Sequence, residues 1–240
     1  MNLSEMIIKR RSVRKYEDRA VSDELLAQIA AFCKEASPLY PEIRTEARLV
    51  SKEQVRFYLP WKAPHLLAIY SEAKPGYAEN VGFLFQQVDL YIQSLGLGSC
   101  WMGLGKLRSP GDPPDGMEFV ILLAFGHPAD TPCRSSAGDF KRKSPSDIAD
   151  MADLRLEPAR LAPSSTNSQP WFFAHEGSTI HAYLSQQGLL RHKTLGLMNR
   201  IDMGIALAQL YVANPDTFRF VSVDAPPAVT GHSYTGSFTL

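Results

Sequence analysis

The stretch Pro163-Ser164-Ser165-Thr166-Asn167-Ser168-Gln169-Pro170-Trp171 constrains this chain more than any other. Proline at both ends of the polar run fixes φ, and the hydroxyl and amide side chains between them bond nearby backbone. No side chain in the run carries a formal charge. A regular helix or a central strand cannot pass through it. It reads as a rigid polar loop that can meet the edge of a flat polar ligand without presenting a charge. The same residues also suit a plain helix end that turns into a strand.

With 240 residues and a hydrophobic fraction of 45%, the chain can fill one large domain or two small ones. Lys plus Arg and Asp plus Glu are 25 each, so bulk charge points to neither nucleic acid nor membrane. Basic residues do gather at Lys9 to Lys15 and at Lys141-Arg142-Lys143. In a neutral chain such clusters fit a local anion, or simply two solvated faces. Cys33, Cys100 and Cys133 lie far apart, without metal-ligand spacing and without a disulfide framework, which fits a reducing cytoplasm. The apolar run near Met6 is too short for a signal peptide. No apolar run approaches the roughly 18 residues of a membrane span.

In chain order, Ser4 opens a short helix, and Ser22 caps a second one carrying Leu25, Leu26, Ile29 and Phe32 at helical spacing. Residues 39 to 64 read as irregular. His65 to Tyr70 is a buried strand, and a helix from about Ala78 to Leu95 places Val81, Leu84, Phe85, Val88 and Ile92 on one face. The segment from Gly111 to Gly116 is a loop. Phe119 to Phe125 is a strand buried on both faces by its composition. Helical structure runs from Ser144 or Ser146 to Leu161, interrupted at Pro158. Trp171–His175 and Thr179–Leu184 make a hairpin, a helix starts at Asn199 or Asp202, and Phe218 to Val223 is a strand. The tail after Pro226 is turn-rich and aperiodic. The two halves echo each other: Gly82-Phe83-Leu84-Phe85-Gln86-Gln87-Val88 resembles Gly204-Ile205-Ala206-Leu207-Ala208-Gln209-Leu210, and Ala36-Ser37-Pro38 resembles Ala162-Pro163-Ser164.

The run from Leu161 to Phe173 resembles the flavin-contacting loop of the FMN-dependent nitroreductase family. Lys9-Arg10-Arg11-Ser12-Val13-Arg14-Lys15-Tyr16 is similar to that family's phosphate-binding signature. The resemblance implies an α+β nitroreductase-like fold, a mixed or antiparallel sheet surrounded by helices, with an internal pseudo-two-fold repeat. The two signatures stand about 150 residues apart here, whereas in typical members they are a few dozen apart. Family members are homodimers whose flavin site takes one signature from each subunit. This chain resembles a branch with two nitroreductase-like halves fused, 1–143 keeping the phosphate signature and 144–240 keeping the loop. Monomer and homodimer both remain open.

On that resemblance, Arg10, Arg11 and Ser12 hold the FMN phosphate, with Lys141 and Lys143 closing over it. Arg14 faces the ribityl chain and the pyrimidine edge, and Asn80 reaches the ribityl hydroxyls. Pro163, Ser164, Ser165 and Asn167 meet the ring, with Gln169 bracing the loop. Met102 and Gly103 present backbone to the reactive N5. Trp171 is read as core, Cys100 as buried and His127 as structural. No catalytic side chain and no metal ligand is expected. NADH or NADPH is the implied donor, and a small oxidised molecule such as a nitroaromatic or quinone the acceptor. A flavin carrier or redox sensor without turnover is the alternative.

Overall fold

A computed structural model describes residues 3–56, 63–109, 113–130, 133–186, 189–221 and 223–240, with the backbone alone for 189–194. Parts of the expected loop at Gly111, of the 39–64 segment and of the expected 218–223 strand lie outside the described residues. The first part of the chain forms α1 (Ser4–Lys9), α2 (Asp23–Glu35), β1 (Thr45–Ser51), β2 (Val55–Arg56), β3 (His65–Ser71), α3 (Tyr77–Ser94), β4 (Gly98–Met102), β5 (Lys106–Leu107) and β6 (Glu118–Gly126). The second part forms α4 (Glu157–Leu161), β7 (Trp171–Glu176), β8 (Thr179–Ser185), α5 (Leu189–Ala213), β9 (Arg219–Val221) and β10 (His232–Thr239).

Two antiparallel four-stranded sheets result, ordered β1-β3-β6-β4 and β7-β8-β10-β9, beside a small β2-β5 ribbon. Ribbon aside, each sheet takes its strands in the same pattern: first, second, fourth, third in chain order. In each set one long helix, α3 or α5, joins the second strand to the third. The two helices pack on each other around a reciprocal pair of glycines. A Cβ on Gly82 would fall 2.0 Å from the Ile201 carbonyl oxygen, and one on Gly204 would fall 2.0 Å from that of Glu79. Gly82 thus meets the residue three before Gly204, and Gly204 the residue three before Gly82. Such reciprocity is the signature of a local two-fold contact.

The apolar stripe read for α3 understates its burial. Ala78 through Leu90 are all buried, Glu79, Asn80, Gln86, Gln87 and Asp89 included. A helix enclosed on all sides must bond its polar side chains inside the protein. Gln87 does so by bracketing Ser37, accepting its N–H at 3.2 Å and donating to its carbonyl at 2.8 Å.

Four expectations need correction. Residues 39–64 are not irregular throughout, because β1 pairs along its whole length with β3. β1 is an edge strand with no buried residue; Leu49 is exposed while Thr45 and Glu46 are half-buried, so no clean alternation marks it. The tail after Pro226 is not aperiodic surface wrapping. It carries β10, an inner strand of the second sheet, whose bulge at Gly236 makes room for the Phe220 ring. Segment 144–161 holds two single 3-10 turns, Pro145–Asp147 and Leu154–Leu156, around a non-helical stretch, with α4 only at its end. The last helix starts at Leu189, ahead of both expected caps.

Candidate functional site

The basic segment leaves α1 in extended conformation and lies along β4. Ser12 bridges to Ser99, the Val13 N–H donates to the Ser99 carbonyl at 2.9 Å, and Gly98 has no Cβ because Val13 fills that space. A buried polar network fixes this placement. Arg10 is 1% exposed and Asp89 0%, with Nε 2.9 Å from Oδ2, an ion pair whose angle misses hydrogen-bond alignment. Asp89 also accepts from Gln86 at 3.0 Å, Gln93 at 3.3 Å and Ser99 Oγ at 2.5 Å. Arg10 donates to Ser12 Oγ at 3.2 Å, and the Arg11 N–H donates to Gln93 at 2.9 Å.

The loop after α4 is held in an unusual backbone. Thr166, Asn167 and Gln169 adopt φ of 53°, 57° and 47°, and they are the non-glycine residues with positive φ among those described. Such conformations cost free energy and persist only where surroundings over-determine them. Here the second basic cluster does that. Asn167 donates to the Lys141 carbonyl at 2.9 Å and accepts from Arg142 at 2.6 Å. Gln169 accepts the Lys143 N–H at 2.7 Å, while Lys143 Nζ donates back to the Gln169 carbonyl at 2.9 Å. On the inner side both oxygens of Asp202 lie 3.0 Å from the Ser165 N–H.

These two segments meet across one cavity of about 320 Å³. Ser12, Arg14, Cys100, Met102 and Gly103 line it from the amino-terminal part, and Pro163, Ser164, Ser165, Thr166, Met198 and Asp202 from the other. Gly103 lets the Met198 thioether close in, since a Cβ there would sit 2.7 Å from its sulfur. Burial raises the Cys100 thiol above its ordinary range, which argues against a reactive thiolate. Trp171 is fully buried core. His127 Nδ1 lies 2.7 Å from Arg19 at the surface.

Beside Ser12 the charges are mostly positive. The Arg134 guanidinium is lowered to about 10, by burial first and then by Arg10 and Arg11. Arg142 is lowered to about 10 as well, by burial first and then by Arg10, Arg134 and Arg160. Both guanidiniums sit over the Phe140 ring, at 4.1 and 5.2 Å from its centroid. The carboxylates nearby are few: Asp89 is taken by Arg10, and Asp139 is exposed and held by Ser135 and Ser136. Two half-buried guanidiniums held beside Arg10 and Arg11 make this corner a candidate anion site.

Several expected residues stand elsewhere. Arg10 is enclosed against Asp89, so its guanidinium orients Ser12 instead of lying open to an anion. Asn80 is 0% exposed and turned away from the cavity, accepting the Leu39 and Tyr40 N–H groups at 2.8 Å each. Asn167 faces Arg142 and Lys141 rather than the cavity wall. Lys143 is spent on the loop, and the Lys141 side chain is exposed. Arg134, Arg142 and Asp202 are not among the residues that the resemblance assigns to the site. Arg142 stood between two singled-out lysines, and its forked geometry was the available signal. Arg134 lies in a polar loop with no pattern to mark it.

A family model described as "Putative TM nitroreductase" matches residues 2–214. The chain belongs to the nitroreductase family. A curated relative from Methanothermobacter thermautotrophicus, "Putative NADH dehydrogenase/NAD(P)H nitroreductase", is 30% identical over 156 residues, which is 55% of this chain and 80% of that protein. The crystal structure of a putative nitroreductase from Thermotoga maritima superposes over 99% of this chain and 92% of its own, at TM-score 0.64 and 19% identity. That likeness establishes the nitroreductase fold. A nitroreductase with bound FMN from Desulfitobacterium hafniense aligns with 60% of this chain and 100% of its own at 18% identity, and its TM-score of 0.46 is too low to argue from. No helix among the described residues is long and apolar enough to cross a membrane.

Proposed function

We propose that this nitroreductase binds one FMN between its amino- and carboxy-terminal halves and works as an NAD(P)H-dependent oxidoreductase. The observation that carries the reading is that Ser12 and Ser165, from signatures about 150 residues apart, line one cavity. FMN fits the residues present. The Nε of Arg142 is buried with no acceptor among the described residues, and a phosphate oxygen would satisfy it. Arg142, Arg134, Arg11 and Ser12 would hold the phosphate, Arg14 the ribityl chain and pyrimidine edge, and the 163–166 loop the ring. When bound, FMN supplies the two-electron chemistry, passing a hydride through N5 from a nicotinamide to an acceptor such as a nitroaromatic or quinone. The chain's own part is to orient the ring, place Arg14 where negative charge develops, and exclude water with Met102, Met198 and Ile205.

The matching strand orders and the reciprocal glycines support descent of the two parts from one nitroreductase-like unit. The first half's counterpart of the loop, Pro38 to Pro41, has a different fate. The Tyr40 ring lies against Gly76 and meets the Phe220 ring edge-on at 5.6 Å. An aromatic pair thus fills the place where the repeat would put a second flavin.

Mixing the FMN-loaded protein with NADH or NADPH without oxygen tests the reading: the flavin absorbance should bleach and return on adding a quinone. A yellow protein that neither nicotinamide bleaches would favour a carrier or sensor. Arg142→Ala is expected to weaken FMN binding about tenfold to a hundredfold, the worth of a hydrogen bond to a charged group. Asn167→Ala, which frees Arg142 from its brace, should cost less, and adding it to Arg142→Ala should cost little more. Fluorescence titration measures all three. Unchanged affinity in Arg142→Ala would move the phosphate elsewhere.

A further inference from the structure

One buried carboxyl in this cavity has no part in the reading above. Asp202 is 4% exposed, and among the described residues its two oxygens share a single hydrogen-bond partner, the Ser165 N–H at 3.0 Å. Among the described residues it forms no ion pair. The repeat supplies an internal comparison. On α3, at the place matching Asp202 on α5, stands Asn80, which accepts the N–H groups of Leu39 and Tyr40 from the matching turn at 2.8 Å each. An amide therefore suffices to hold such a turn. Burying a carboxylate costs more than burying an amide, so loop-holding alone does not account for Asp202.

We propose that Asp202 takes up a proton when the cavity gains an electron pair and gives it back when the pair leaves. The inference rests on the FMN reading. Two electrons and one proton entering FMN leave one new negative charge in a cavity that Asp202 also lines. A carboxylate sharing that enclosed space is then driven to protonate. In balance, two electrons and two protons enter, one proton going to the cofactor and one from water to the Asp202 carboxylate. On oxidation the electron pair passes to the acceptor, the carboxyl O–H breaks, and its proton goes to the reduced acceptor or to water.

The surroundings allow this. Burial pushes the Asp202 carboxyl up to about 8, and the Ser165 N–H alone opposes it. Arg14 and Cys100 share the cavity, Glu79 on α3 is matched by Arg200 at 2.8 Å, and Arg142 is engaged by Asn167 at 2.6 Å. The carboxyl therefore holds its proton below about pH 8 and releases it above.

The test is the proton uptake per FMN reduced, read with an indicator dye in weak buffer or from the slope of midpoint potential against pH. Wild type should take up one proton per FMN well below pH 8, where Asp202 already carries its proton. Above pH 8, until the pH passes the higher pKa of Asp202 in the reduced protein, it should take up two, so the slope doubles over that window. Asp202→Asn, which keeps an acceptor for the Ser165 N–H as Asn80 does for its turn, should take up one throughout. One-proton uptake by wild type at every pH overturns the inference even if the variant fails to fold, and so does a doubling that survives in Asp202→Asn. Either result leaves nicotinamide bleaching, and so the proposed function, standing. A chain that binds no FMN overturns both.

Discussion

Arg10→Ala is expected to lower fold stability by about 3–5 kcal/mol, with or without FMN. The substitution leaves the Asp89 carboxylate enclosed with only Gln86, Gln93 and Ser99 as partners. It also removes the donor that holds Ser12 against the cavity. A charge buried without its counter-ion costs far more than an exposed pair returns. Replacing both members, as in Arg10→Met with Asp89→Leu, should recover much of the loss, because neither charge is then stranded. Urea denaturation of the FMN-free protein measures both. A variant of ordinary stability that has merely lost FMN affinity would mean that Arg10 faces the phosphate, as the arginine pair in the sequence first indicates.

Gly204→Ala and Gly82→Ala should each cost about 2–3 kcal/mol, although alanine favours a helix by roughly 1 kcal/mol over glycine. The reason is the crossing of α3 and α5. Each new Cβ would fall 2.0 Å from a carbonyl oxygen of the other helix, and backbone cannot swing aside as a side chain can. The helices must part, loosening the core between the two sheets and the cavity wall at Met198, Ile201 and Asp202. Both glycines sit at one crossing, so the double variant should lose less than the sum of the singles. Stabilisation by either alanine, or simple addition of the two, would contradict that packing.

Local chemistry made much of this molecule legible. The prolines and side-chain amides around Ser165 announced a constrained loop, and its positive φ values at Thr166, Asn167 and Gln169 are that constraint realised. The Gly82 and Gly204 heptapeptides mark the crossing of α3 and α5, because a close approach of two backbones admits only glycine. What could not be read depended on which side chain met which. Arg10 and Arg11 are adjacent and chemically identical, yet one is enclosed by Asp89 from α3 and the other faces outward, and no local signal separates them. Asn80 looked like a ligand contact because an amide serves a hydroxyl and a backbone turn equally well. β10 escaped notice because Ser233, Thr235, Gly236 and Ser237 dilute its apolar alternation, and the partners that make it a strand lie far off in β8 and β9. Asp202 was read only as a helix start, since its burial follows from a loop packed over it from outside its own helix.

A single titration bears most directly on the claim that both halves of this nitroreductase build one site: FMN bound per chain, from flavin absorbance and protein concentration at saturation. One FMN per chain is the predicted result. Two per chain would mean that the place filled by Tyr40 and Phe220 opens to a second cofactor, and none would mean that the Ser12 and Ser165 segments meet for some other purpose.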